Sequence, residues 1–172
     1  MADEHMLTQY DFIISRVLNA PKELVFYAWT DPKQIVHWWG PRIITNTITT
    51  MDVRPGGAYR IVMRSPDGVE YPIKGVFHEV KKPDSLTMTM DCSEHPAHWH
   101  DLVKPGRQKE DTNPAGEMFE TVTFEDQNGK TKLTVRIHFK SSEILETMLK
   151  MGMKEGWSLS LDRLAEHLVK NC

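Results

Sequence analysis

The stretch EMFETVTFEDQNGKTKLTVRIHFK, residues 117–140, contains two strand-like runs joined by Asn128-Gly129. That dipeptide between alternating runs is the strongest short signal for a two-residue β-hairpin. In the second run Leu133, Val135, Ile137 and Phe139 oppose Thr134, Arg136, His138 and Lys140, so one face is core and the other is wet, as in an antiparallel sheet. The first run admits two parities. Met118, Val122 and Phe124 facing inward would carry Glu120 with them, whereas the opposite choice turns Phe119, Thr121 and Thr123 inward. An inward carboxylate is costly unless paired, and such groups have shifted pKa values suited to acid/base work. Glu120 is therefore the one candidate catalytic residue.

Working upstream, turn words recur at RPGG, SPDG, KKPDS and DQNG, which gives residues 42–140 the punctuation of an antiparallel meander with no strong helix in it. IITNTITTMDV reads as an edge-tolerant strand. AYRIVMRS places Tyr59, Ile61 and Met63 on one face, EYPIKGVFHEV places Tyr71, Ile73 and Phe77 there, and LTMTMDC places Leu86, Met88, Met90 and Cys92 there. Before the meander, YDFIISRVL reads as a strand. PKELVFYAWT and DPKQIVHWW read as two short helices, with Pro21 in a first turn and Asp31 as an N-cap.

Working downstream, residues 141–170 carry Leu145, Met148, Leu149, Met153, Trp157, Leu161, Leu164 and Leu168 as a helical stripe, with Ser141 or Ser142 as its cap. Gly152, Gly156 and Ser160 interrupt the stripe at spacings of four. Small residues there mean close packing on the sheet or room for a ligand.

The 172 residues suit one domain, 1–172, with a core of about 8–169 and an insertion at about 93–116 that is too long for an ordinary hairpin connection. Net charge is −3 and no basic cluster resembles a phosphate footprint, so nucleic acid is not expected as a partner. No apolar run approaches the ~20 residues of a membrane span, and a cytoplasmic location is expected. Two cysteines, Cys92 and Cys172, form no disulfide framework and read as free thiols.

The order of these elements and several local words resemble the Hsp90-ATPase-activator-homology branch of the START/Bet v 1-like (SRPBCC) superfamily. The words are ISRVLNAPKELVFYAWTDP, HWWGP, DVRPGG, SPDG, GVFHEVKKPDSL, TVTFED and GMKEGWSLSLDRLAEHL. The resemblance implies an α+β helix-grip fold, in which a curved antiparallel meander wraps around a long C-terminal helix behind two short N-terminal helices. It implies a cavity for a small apolar or amphipathic molecule, and homodimers are common among relatives. Subfamilies with this layout include cyclase-like enzymes, stress-response proteins and partners of transcriptional regulators. The co-chaperone that names the family uses a further domain with an asparagine- and tryptophan-rich motif. No such motif occurs here, and a chaperone partner is not expected.

The expected cavity lining is Tyr59, Ile61, Met63, Phe77, Met88, Met90, Val135 and Ile137 from the sheet, with Met148, Met153 and Trp157 from the helix. Ten methionines suit an adaptable apolar pocket. The WWGP word, with Trp29, reads mainly as structural. The head of the insertion, CSEHPAHWHDLVKP, supplies His95, His98, Trp99 and His100 as a lid over the cavity mouth. The same histidines, with Glu94 or Asp101, are the candidate metal ligands. The spacing is not diagnostic, H-E-x-x-H and C-x-x-C are absent, and no metal or cofactor is expected. The function expected is small-ligand binding, with a cyclase- or hydrolase-like enzyme acting through Glu120 or an insertion histidine as the competing class and a chaperone-interacting module, by family name only, as the third.

Overall fold

Asn128 and Gly129 both take positive φ, 55° and 86°, as a primed hairpin turn requires. They join β6 (Glu117–Gln127) to β7 (Lys130–His138), and the ladder runs without a slip from Gln127 opposite Lys130 to Phe119 opposite His138. The computed structural model describes residues 10–41 and 43–170. Within them β1 (Asp11–Leu18) is followed by α1 (Lys22–Thr30), α2 (Pro32–Ile35), β2 (Thr45–Met51), β3 (Ala58–Arg64), β4 (Glu70–Lys81) and β5 (Ser85–Asp91). The insertion then carries α3 (Ala97–Val103) before β6, and α4 (Ser142–Lys150) and α5 (Met153–Lys170) close the chain. The thiol of Cys172 lies outside the described residues.

The seven strands form one antiparallel sheet in the order β1-β7-β6-β5-β4-β3-β2, a meander that β1 extends beyond β7. The threonine-rich β2 is an edge strand, where unpaired backbone tolerates polar side chains. Inner-face residues Leu86, Val122, Leu133, Val135 and Ile137 are buried against Leu161, Leu164 and Leu168 of α5, giving the helix-grip architecture. Each such leucine removed from water contributes roughly 1.5–3 kcal/mol. At the curved end of the sheet the Tyr59 hydroxyl passes over Gly75 to donate to the Thr89 carbonyl at 2.6 Å. A Cβ on Gly75 would stand 2.7 Å from the Tyr59 ring and 2.0 Å from that carbonyl, which is why this strand position is glycine.

Two expectations are corrected. The meander is interrupted, because Ala97–Val103 folds as α3 inside the insertion, where Pro96 supplies the extended residue before the first turn. The C-terminal stripe is two helices rather than one. Gly152 at φ 95° ends α4, its N–H donating to Leu149 O at 3.1 Å while Met151 N–H donates to Thr147 O at 3.0 Å. This is a left-handed glycine C-cap, and a 3.6-residue periodicity continues across it unchanged. Ser141 caps α4 as expected, its hydroxyl accepting from Ile144 N–H at 3.2 Å.

Candidate ligand-binding site

Gly156 and Ser160 give α5 a low spot on its inner face, and the sheet side chains opposite do not fill it. The result is an apolar cavity of about 190 Å³. Met63, Ile73 and Met90 form its sheet wall, Met153, Gly156, Trp157 and Ser160 its helix wall, and Trp39, Gly40 and Pro41 its third side. A Cβ built on Gly156 meets nothing within 4 Å, so this glycine is space rather than a packing necessity.

Aromatic rings hold the walls. Trp157 stacks on Trp29 with centroids 6.2 Å apart and meets Trp39 edge-on at 5.6 Å. Trp38 is buried beneath them, donating from Nε1 to Ala28 O at 3.0 Å. The third side is pinned from α5, since Arg163 Nη1 donates to the carbonyls of Trp39, Gly40 and Pro41 at 3.0, 2.9 and 2.8 Å. Asn46 Nδ2 adds a second donor to Trp39 O at 2.7 Å.

The cavity adjoins a wider groove of about 620 Å³, for Pro41, Met63 and Met153 line both. The groove is completed by Tyr71 from β4, His98, Trp99 and Leu102 from the insertion, and Met148, Lys150, Met151 and Gly152 around the α4–α5 break. The insertion is fastened where it leaves the sheet. Glu94 accepts from Arg60 Nη2 at 2.6 Å and lies 3.3 Å from Lys74 Nζ, and the Arg60 hydrogen bond holds its carboxyl below the ordinary value. Arg107 binds Asp101 at 2.8 Å and the Asp111 carbonyl at 2.7 Å, closing the loop on itself.

The four insertion residues divide. His98 and Trp99 face the groove, whereas His95 and His100 are buried under the loop, with His95 Nδ1 3.0 Å from Pro72 O and His100 Nε2 3.3 Å from Ser93 O. Burial pushes the His95 imidazole down to about 4, and its ring packs on Trp99 at 4.4 Å. Glu94 and Asp101 are engaged by arginines, and among the described residues no three His, Cys, Asp or Glu side chains group to hold a metal ion.

The expected lining is also reshaped. Met63, Met90, Met153 and Trp157 line the cavity, and Met148 lines the groove. Tyr59, Ile61, Phe77, Met88, Val135 and Ile137 are buried core instead. Strand parity assigns a face but not a depth along it, and the leucines of α5 fill the middle of the grip. Trp39, Gly40, Pro41 and Ile73 were missing from the expected lining. The only signals for them were the WWGP word, read as structural, and the inward parity of Ile73.

Glu120 is fully buried, cross-strand from Met88 and Ile137, and neither carboxyl oxygen has a hydrogen-bond partner among the described residues. Desolvation raises it to about 8, so it is a neutral acid at pH 7. It does not line the 190 Å³ cavity. Cys92 is buried as well, its thiol pushed up to about 12 by desolvation and then by Asp91, which leaves it inert.

Residues 19–169 match the family model described as Activator of Hsp90 ATPase homolog 1-like protein. The chain belongs to this family. Its fold is shared with solved structures of a protein from Arthrobacter aurescens (TM-score 0.79, 26% identity, 94% of this chain and 87% of that one) and one from Nitrosomonas europaea (0.76, 25%, 96% and 98%). A Mycobacterium smegmatis protein superposes with a TM-score of 0.74 at 26% identity, over 95% of this chain and 93% of its own. No curated protein matches the chain. No described helix is long and apolar enough to cross a membrane.

Proposed function

We propose that this family member binds a small apolar or amphipathic molecule in the cavity between α5, the ends of β3–β5 and the Trp39–Pro41 segment, with the insertion as its lid. The observation that carries this reading is the unfilled space above Gly156 and Ser160, walled by methionine and tryptophan side chains. An apolar volume of about 150 Å³ accommodates benzene, so about 190 Å³, open on one side to solvent, suits one ring or a short branched chain. Methionine walls adjust to the shape of such a guest. The binding would serve a stress-response or regulatory role in the cytoplasm, where the unpaired Cys92 would stay reduced.

Native mass spectrometry of the purified protein before and after denaturation tests the proposal. The expected result is an organic mass that is retained natively, released on unfolding and absent from Gly156→Leu, whose side chain occupies the cavity. Retained metal without organic mass would overturn it.

A second reading is favoured by the unpartnered Glu120 carboxyl, a neutral acid able to give up a proton near pH 8. It would make the protein a cyclase- or hydrolase-like enzyme. Turnover abolished in Glu120→Gln, with ligand binding intact, would favour it.

A further inference from the structure

The groove outside the cavity has a chemical character of its own. Among the described residues its polar side chains include the Lys150 ammonium, the His98 imidazole and the Tyr71 phenol, the last two 3.4 Å apart, beside the Trp99 indole. On a chain with 24 acidic residues and a net charge of −3, no carboxylate among the described residues lines this groove. Asp67, whose field reaches His98, stands outside the lining. Lys150 has no ion-pair partner among the described residues, in contrast to Lys22, Lys74 and Lys104, which face carboxylates within 4.0 Å. All three groove groups can donate hydrogen bonds, and the cavity they adjoin is walled by apolar side chains. Pro41, Met63 and Met153 border both compartments and stand between them.

We infer that the occupant is an amphipathic organic anion, a carboxylic acid whose single ring or short branched chain fills the inner cavity and whose carboxylate lies in the groove against Lys150, His98 and Tyr71. The inference rests on the cavity reading above and adds the head group. Its charge stays half in water, so desolvation is small, while the Lys150 hydrogen bond is charge-assisted. The arm joining the two ends passes Met63, a flexible side chain that yields to it.

Phenylbutyrate and phenylbutanol, equal in apolar bulk and different in charge, separate the two parts of this claim when titrated calorimetrically into the wild type, Lys150→Gln and Gly156→Leu. Lys150 is exposed, so its substitution leaves folding intact. The acid is expected to bind the wild type about two- to fivefold more tightly than the alcohol at low salt, as a solvent-exposed ion pair implies. Lys150→Gln should abolish most of that difference, and Gly156→Leu should abolish binding of both. Equal affinity for acid and alcohol in the wild type would overturn the anionic head group and leave the cavity reading standing. Binding of neither probe would overturn this ligand class, and the mass-spectrometric result would then decide the cavity reading separately.

Discussion

Arg163 Nη1 donates to Trp39 O at 3.0 Å, and Arg163 Nη2 donates to His37 O at 2.9 Å, so one side chain of α5 fastens the whole turn between α2 and β2. Two of the carbonyls it reaches have one further donor each, Ile44 N–H on Pro41 O at 2.9 Å and Asn46 Nδ2 on Trp39 O at 2.7 Å, and Trp39 is a wall of the cavity. A planar guanidinium meets several carbonyls at once, which an ammonium does not.

Arg163→Met should therefore destabilise the fold by about 2–3 kcal/mol, the range for losing hydrogen bonds from a charged donor. Arg163→Lys should recover less than half of that. Urea unfolding monitored by tryptophan emission measures both, and a Lys variant equal to wild type would show that charge alone is enough.

Gly156 lies within α5 and its missing Cβ faces open space. Gly156→Ala is expected to raise stability by about 0.5–1 kcal/mol through helix propensity and reduced freedom of the unfolded chain. Stability and ligand binding then move in opposite directions across the series Gly, Ala, Leu, because each added carbon takes cavity volume. A thermal melt without ligand and a titration with phenylbutyrate read the two trends separately.

Glu120 and His95, two of the buried titratable groups, tilt the pH profile in opposite senses. Glu120 in the folded protein titrates at about 8 against an ordinary 4.5, so between these values the native state binds more protons than the unfolded state and stability falls as pH rises. His95 at about 4 against 6.5 does the reverse, its contribution being lost as pH drops through that window. The slopes oppose one another from 4.5 to 6.5, and from 6.5 to 8 only the Glu120 decline remains, at up to about 1.4 kcal/mol per pH unit. Denaturant midpoints from pH 6.5 to 8 should fall in the wild type and stay level in Glu120→Met. The variant should also be the more stable protein at pH 8, since methionine leaves no unpartnered polar atoms.

Cys92, buried with its thiol held near 12, should resist alkylation in the native protein. In a Cys172→Ser background, labelling by iodoacetamide at pH 8 is expected only in denaturant. Rapid native labelling would mean that the β5 end of the sheet opens to solvent.

Much of this was readable before any coordinates. The alternation in β5 and β7, the Asn128-Gly129 turn, the Asp31 and Ser141 caps and the antiparallel order follow from the period-2 pattern and from turn chemistry, both local properties of the backbone. The break at Gly152 was less legible, because a left-handed cap leaves the helical periodicity of the stripe intact on either side. The helix in the insertion was hidden for a related reason: seven residues rich in histidine give too short a pattern to register against the surrounding loop residues.

Outside β6, whose two parities it left open, the sequence by itself determined which side chains face inward, since pleat and helix geometry assign faces at every second or every third to fourth position. Where the inner face is filled and where it stays empty was decided only by tertiary structure. That depends on which α5 residue stands over which strand position, and on Arg163 drawing Trp39–Pro41 across a gap left by Gly156 and Ser160. Met63 and Met88 share the same parity, yet one borders a cavity and the other is buried core. Residues distant in sequence create a void together, so no local pattern can announce it.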